Sequence, residues 1–338
     1  MSGMSSLWDR EHGVEVCAGR SNLPLVIRDS SDTWSHGVDA FRDEIGFFHA
    51  NGHIEVIEQG PVRAAIQVRS RFGDSTIVQD VRLYAGLRRV EVEIVLDWHE
   101  KHRMLKVSFP TRIEDPVGTY EIPYGTLVRP THGEEEPGQR WMDVTGTIRD
   151  TQGAEMPYGV GLLNDSKYGF DIKDSELRMT VLRSPIYAFH GPRKVEPGVV
   201  YVYTDQGKQM VRYAVLPHRG DWRDGDIVRA GHAFNHPFIV VRTEPHPGDW
   251  TPEGSFLQID PENVVGTVLK KAEDSDDLIL RFYETAGRDT MARVRLPLHG
   301  FSFETRLGHH EIKTLKLGMG PEGPSCCEVN MLERDERK

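Results

Sequence analysis

The stretch from His53 to Ile113 leaves this chain few architectures. It reads as five long strands in succession, His53–Gln59, Val62–Phe72, Thr76–Tyr84, Arg88–Trp98 and Arg103–Ile113. The breaks fall at Gly60-Pro61, Gly73-Asp74 and Ala85-Gly86, where a positive or a fixed φ is wanted. In Arg89-Val90-Glu91-Val92-Glu93-Ile94-Val95-Leu96 apolar and charged residues first alternate, as on a strand with one wet face. They then run together, as where both faces are covered. This is a meander of hairpins.

The same grammar continues through Tyr158–Leu163, Glu176–Leu182, Val199–Tyr203 and Gln209–Leu216, and no segment holds a helical period between caps. The 33 Gly and 20 Pro are spread as many turns require, so the chain is expected to be all-β with few, short helices. Its 338 residues exceed the roughly 250–300 at which single cores stop growing, which favours two domains. Glu244 to Gly254 holds three prolines and two glycines and cannot sit inside a sheet, so it reads as a linker. Residues 1–243 then form the large domain. Five short strands follow, near Ser255–Ile259, Val264–Lys271, Leu278–Tyr283, Met291–Leu296 and Glu311–Leu317, giving a small β-sandwich over 255–317. The polar, Gly/Pro-bearing stretch 318–338 is expected to be a mobile tail.

The formal charge of −11 repels phosphate backbones and the basic residues are scattered, which argues against nucleic acid as a partner. No apolar run approaches the roughly 18 residues that cross a bilayer, and Met1–Ser6 lacks the features of a leader, so no membrane partner is expected and a cytoplasmic protein is read. The three cysteines, Cys17, Cys326 and Cys327, fit a reducing compartment. The adjacent pair lacks the CxxC spacing or companion histidine of a metal site.

Several stretches taken in order carry a resemblance. Ser6-Leu7-Trp8-Asp9-Arg10-Glu11-His12-Gly13, then Asn22-Leu23, then Asp32-Thr33-Trp34-Ser35-His36-Gly37 stand near the start. Gln79-Asp80-Val81-Arg82-Leu83-Tyr84 leads to Asp97-Trp98-His99-Glu100-Lys101-His102-Arg103-Met104-Leu105-Lys106. Tyr120-Glu121-Ile122-Pro123-Tyr124-Gly125, Arg140-Trp141-Met142-Asp143 and the run from Tyr158 to Asp171 follow, then Leu182-Arg183-Ser184-Pro185 and Pro217 to Trp222. With the stretches Ser255–Leu257, Val264-Val265, Leu269–Asp274 and Leu278–Arg281, this order resembles the post-catalytic region of glycoside hydrolase family 38 α-mannosidases from Ser6 to about Leu317. The resemblance implies a large galactose-mutarotase-like β-supersandwich, then a small β-sandwich, both following a zinc-dependent barrel and a helical bundle. Zinc and the nucleophilic aspartate would belong to that barrel, so no cofactor, metal ligand or catalytic residue is assigned to this chain. The Met1-Ser2-Gly3-Met4 start suggests an excised fragment, with a short natural gene as the alternative.

Candidate residues remain. Asp97–His102 is rich in reactive groups, but His99 and His102, three apart on a strand, point to opposite faces, and a hydrogen-bonded turn is the simpler reading. Asn164, Asp165, Lys167 and Tyr168 put amide, carboxylate, ammonium and phenol at a sheet end, where sugar hydroxyls could use them and where Asx residues also build turns. In the family's architecture this loop would face the cleft. Arg183 offers a fork of donors to a hydroxyl pair, a carboxylate of the barrel or a structural ion pair. His218, Asp221 and Trp222 have the composition of a sugar platform, against a Trp that plugs a core. His132-Gly133-Glu134-Glu135-Glu136 reads as a solvated acidic loop, with incidental cation binding as the alternative.

The reading is therefore the C-terminal β portion of an α-mannosidase, with α-mannosides as carbohydrate partner and the N-terminal catalytic domain as protein partner. A free-standing carbohydrate-binding module and, by fold analogy alone, an aldose 1-epimerase are the alternatives. Self-association is expected through an apolar surface drawn from Trp8, Trp34, Tyr124 and Trp141.

Overall fold

The computed structural model describes residues 3–50, 52–248, 251–320 and 323–335. The chain is built from strands that pack as two units. One comprises Met1–Ile122 with Leu127–Pro237, the other Pro123–Thr126 with Phe238–Lys338. The boundary thus falls at 237/238 rather than after 243. Residues 236–248 carry no regular structure, and of the expected linker 244–254, residues 249 and 250 lie outside the described residues.

The large unit sets two large sheets face to face, beside a two-stranded ribbon of Trp8–Asp9 and Val14–Glu15. The nine-stranded sheet runs in the order Gly125–Arg129, Glu114–Ile122, Trp141–Arg149, Glu155–Asn164, Gly207–Arg219, Val90–Trp98, Ser75–Tyr84, Arg63–Phe72, Ile54–Gln59. The six-stranded sheet runs Glu136–Pro137, Gly169–Lys173, Glu176–Arg183, Arg103–Pro110, Leu23–Arg28, Glu44–Phe47. The alternation in Val90–Trp98 decides how the first sheet lies. Val92, Ile94, Leu96 and Trp98 enter the core, with Leu105, Val107, Phe109, Leu177 and Met179 of the other sheet among their partners. The expected end to that alternation is corrected, because Val95 is 46% exposed and period two persists to Trp98.

Arg103–Pro110 has both faces buried from Met104 to Phe109. Its outer face is covered by the loop between Leu23–Arg28 and Glu44–Phe47, where Phe41 joins Leu25, Ile27 and Met104 in a small second core. The fully buried Lys106 also looks outward. Its ammonium donates to Glu135 and Asp171, and Asp171 also accepts from Arg42. Glu135 therefore turns inward, which corrects the reading of residues 132–136 as a wholly solvated loop: a buried ammonium requires a carboxylate.

One short helix, Ile227–Asn235, follows the last strand of the large sheet. Val199–Tyr203 is not a strand; Tyr203 contributes one bridge, to Ile186. The small unit has a three-stranded sheet, Gln258–Asp260, Thr290–Leu296 and Phe301–Leu307, and a four-stranded one, Val264–Lys271, Leu278–Glu284, Ile312–Gly320 and Gly323–Val329. Gly323–Val329 corrects the expected tail. It pairs antiparallel with Ile312–Gly320, an edge position where Pro324 costs no ladder bond on its open side. Of the four aromatics expected on a shared apolar surface, Trp8 and Trp34 are 44% and 55% exposed, Tyr124 is half-buried and Trp141 is fully buried. Among the described residues no helix is long and apolar enough to cross a membrane.

Candidate functional site

The residues singled out in the sequence fall in three places. Asn164 ends the strand Glu155–Asn164, fully buried. Its amide donates to the Gln139 carbonyl (2.8 Å), and its Oδ1 accepts from the Ser166 and Lys167 N–H groups (3.0 and 2.8 Å), so both ends build the turn. Asp165 pairs with the Arg212 Nε at 2.8 Å, and the Lys167 ammonium reaches Gln209 at 3.4 Å. Tyr168, half exposed, turns its ring to solvent.

His218, Asp221 and Trp222 lie elsewhere. In the pairing of Glu155–Asn164 with Gly207–Arg219, Asn164 stands opposite Tyr213 while Gly159 stands opposite His218, so the two groups occupy opposite ends of one ladder. The His218 imidazole is buried and holds the Asp143 carboxylate at 2.8 Å. Burial pulls its pKa down, but the Asp143 charge and hydrogen bond more than offset this and hold it above the ordinary histidine value. Asp221 closes its own turn onto the Arg223 N–H (2.7 Å) and pairs with the Arg223 guanidinium (2.8 Å). Trp222 is buried against Trp141, ring centroids 5.5 Å apart, as a core plug.

Arg183 marks the third place, and it is the richest. It ends the strand Glu176–Arg183 beneath two long loops, residues 29–43 and 184–206. Its Nε donates to the buried Asp29 carboxylate (2.9 Å), its Nη2 to the Ser31 hydroxyl (2.7 Å) and the Asp32 carbonyl (3.3 Å), and its guanidinium lies over Phe41 at 4.9 Å. Arg183 thus organises the first loop. Thr33 joins that loop to the second: its N–H donates to the Phe189 carbonyl (3.1 Å), its hydroxyl donates to the Ile186 carbonyl (2.7 Å), and the same hydroxyl accepts from the Phe189 N–H (2.9 Å).

The two loops converge on Asp32. Oδ1 accepts from the Trp34 and His36 N–H groups (3.0 and 3.2 Å), while Oδ2 accepts from the Gly191 N–H (3.0 Å) and faces the His36 Nδ1 at 2.8 Å. The His36 hydrogen bond and then the Gly191 amide hold the Asp32 carboxyl well below the usual carboxylate range. His190 completes the group, its ring centroid 4.5 Å from His36 and 5.7 Å from Trp34. Asp32, His36 and His190 each offer a ligand atom, and these atoms lie within 4.8 Å of one another. A cleft of about 740 Å³ opens beside them, lined among others by Arg28, Asp29, Val38, Phe41 and Pro192. The arrangement brings a largely covered carboxylate together with two exposed imidazoles and an exposed indole face, groups that bind a cation or a polyol.

His190 was missed in the sequence because it stands more than 150 residues from its partners. The Asp32-x-x-x-His36 spacing was the legible half of the signal. His99 and His102 do not join it: His99 pairs with Asp97 at 3.0 Å and the His102 ring packs edge-on to Tyr203 at 5.2 Å.

The fold itself belongs to a known class. Two solved structures from Enterococcus faecalis, a glycosyl hydrolase family 38 protein and an α-mannosidase, superpose with a TM-score of 0.72 each, at 15% and 14% identity. They match 92% of this chain and 41% and 40% of their own chains, which shows a shared β architecture. The sequence is more specific. Residues 2–192 match the glycosyl hydrolases family 38 C-terminal domain and residues 263–338 the family 38 C-terminal β-sandwich domain. The chain belongs to glycosyl hydrolase family 38 and carries that family's two C-terminal β domains. Among curated relatives it is 33% identical over 238 residues to human "Alpha-mannosidase 2C1" and 27% identical over 307 residues to "Alpha-mannosidase G" of Dictyostelium discoideum. The alignments cover 67% and 85% of this chain but 21% and 26% of those proteins, so the chain spans about a quarter of their length or less. Neither the free-standing binding module nor the aldose 1-epimerase is favoured by these matches.

Proposed function

We propose that this chain serves a zinc-dependent α-mannosidase, acting in mannose metabolism in the cytoplasm, by buttressing the catalytic portion and by lending carbohydrate-binding groups to its cleft. The observation that carries the reading is the pair of family 38 C-terminal matches, in order, on the two β units. Retaining hydrolysis needs a nucleophilic carboxylate and an acid about 5 Å apart. In this reading those groups, with the zinc, belong to the portion of the enzyme that precedes the supersandwich. The exposed Trp34 indole beside Asp32 and His36 supports a substrate-facing role for the Arg183 loops, because a sugar ring takes an aromatic face and a carboxylate together. The unpaired thiols of Cys17, Cys326 and Cys327 support a reducing compartment.

The test uses the pure chain and a longer enzyme that contains it. The pure chain should leave an aryl α-mannoside untouched, whereas the longer enzyme turns it over. Trp34→Ala in the longer enzyme should raise KM about tenfold, the loss of one aromatic contact worth about 1.4 kcal/mol, with kcat changed far less. Turnover by the pure chain, or an unchanged KM, overturns the corresponding part of the reading.

A further inference from the structure

We propose that Asp32, His36 and His190 form a binding site for a divalent transition-metal ion of the zinc class, built entirely from this chain. The inference does not depend on the mannosidase reading. One carboxylate and two imidazoles within 4.8 Å are a donor set that suits zinc, cobalt(II) or nickel(II) and suits calcium or magnesium poorly, since those cations prefer oxygen ligands. Tetrahedral bonds of about 2.0–2.1 Å place ligand atoms about 3.3 Å apart. Reaching that spacing takes a movement of roughly 1.5 Å at most. The two histidine side chains can make it, because both are exposed, His36 at 58%, while Asp32 is held still.

The surroundings already carry the supporting contacts that metal ligands use. Asp32 is fixed by the three backbone N–H groups of Trp34, His36 and Gly191. The His190 Nδ1 sits against the Gly191 carbonyl; a carbonyl only accepts, so Nδ1 carries the proton and Nε2 is left with its lone pair. The His36 Nδ1 and Asp32 Oδ2 stand 2.8 Å apart, sharing a proton in the place a cation would take. Three protein ligands leave a fourth position for water or for a ligand hydroxyl. The Thr33 bonds to Ile186 and Phe189 hold the loops together without an ion, so the ion adds a clip to loops that already meet.

The site is tested on the chelator-stripped full chain by calorimetric titration with zinc and by the visible absorption of cobalt(II). The expected result is one ion per chain, with cobalt bands of reduced coordination number and quenching of Trp34 fluorescence by cobalt. His36→Ala and His190→Ala should each weaken binding more than about 100-fold, while His99→Ala, at a histidine paired with Asp97 outside the cluster, leaves it unchanged. Both replaced rings are exposed, so circular dichroism should show folded variants; if one does not fold, the other decides. An absence of binding, or binding that persists in the His36→Ala/His190→Ala double variant, overturns the proposal.

Discussion

His218 shows how a residue chosen for chemistry can be spent on structure. Its ring is clamped so closely that a Cβ on Gly159 would come within 2.3 Å of Cε1 and one on Gly225 within 2.4 Å of Cγ. Both glycines are therefore required by close approach, and Gly159→Ala should destabilise the large unit by overpacking, by about 1–3 kcal/mol. The imidazole's pKa is raised, so the pair's contribution is complete below the ordinary histidine value of about 6.5 and is lost as pH rises through the folded value. Denaturation midpoints should accordingly fall from pH 6 to pH 9 in the native chain and much less in Asp143→Asn. Equal slopes would show that the pair does not set the dependence. Asp143→Ala leaves a buried imidazole without its counter-charge and should cost about 3–5 kcal/mol in chemical denaturation at pH 6.

At the scale of elements, legibility followed locality. Arg63–Phe72 and Ser75–Tyr84 announce themselves by period two and by their turns, with observed bounds within a residue of those expected, and Val264–Lys271 coincides with its expected range. The helix Ile227–Asn235 has nine residues and opens after an Asp226 that makes no side-chain cap, so neither its period nor its start stands out. Phe301–Leu307 does alternate, and it was legible but unread. The loops around Arg183 could not be read, because Thr33 with Phe189 and Asp32 with Gly191 are contacts across more than 150 residues that no local pattern encodes. Gly323–Val329 was hidden by composition: its strand character rests on pairing with Ile312–Gly320 and on a buried Val329. Removing residues 323–338 should therefore destabilise the small unit by at least about 2 kcal/mol, the worth of one buried aliphatic side chain and more. A truncated chain with unchanged melting behaviour would restore the reading of a mobile tail.

At the scale of the whole molecule, the sheet order sets a timetable for a chain leaving the ribosome. Val90–Trp98 has Ser75–Tyr84 on one side at once, but its other neighbour is Gly207–Arg219, more than a hundred residues later. Glu155–Asn164 waits for the same strand. Until residue 219 has been synthesised, the largest sheet is two half-sheets, each with an open apolar edge, and such nascent states are slow to close and prone to aggregate. A chain ending at Pro237 holds every strand of that sheet and should be recovered folded; one ending at Gln206 lacks the sheet's last strand, together with Trp222 and the helix Ile227–Asn235, and should be recovered in aggregates. Gly207–Arg219 is thus the keystone of assembly, and the translation rate between Trp98 and Gly207 becomes a determinant of yield.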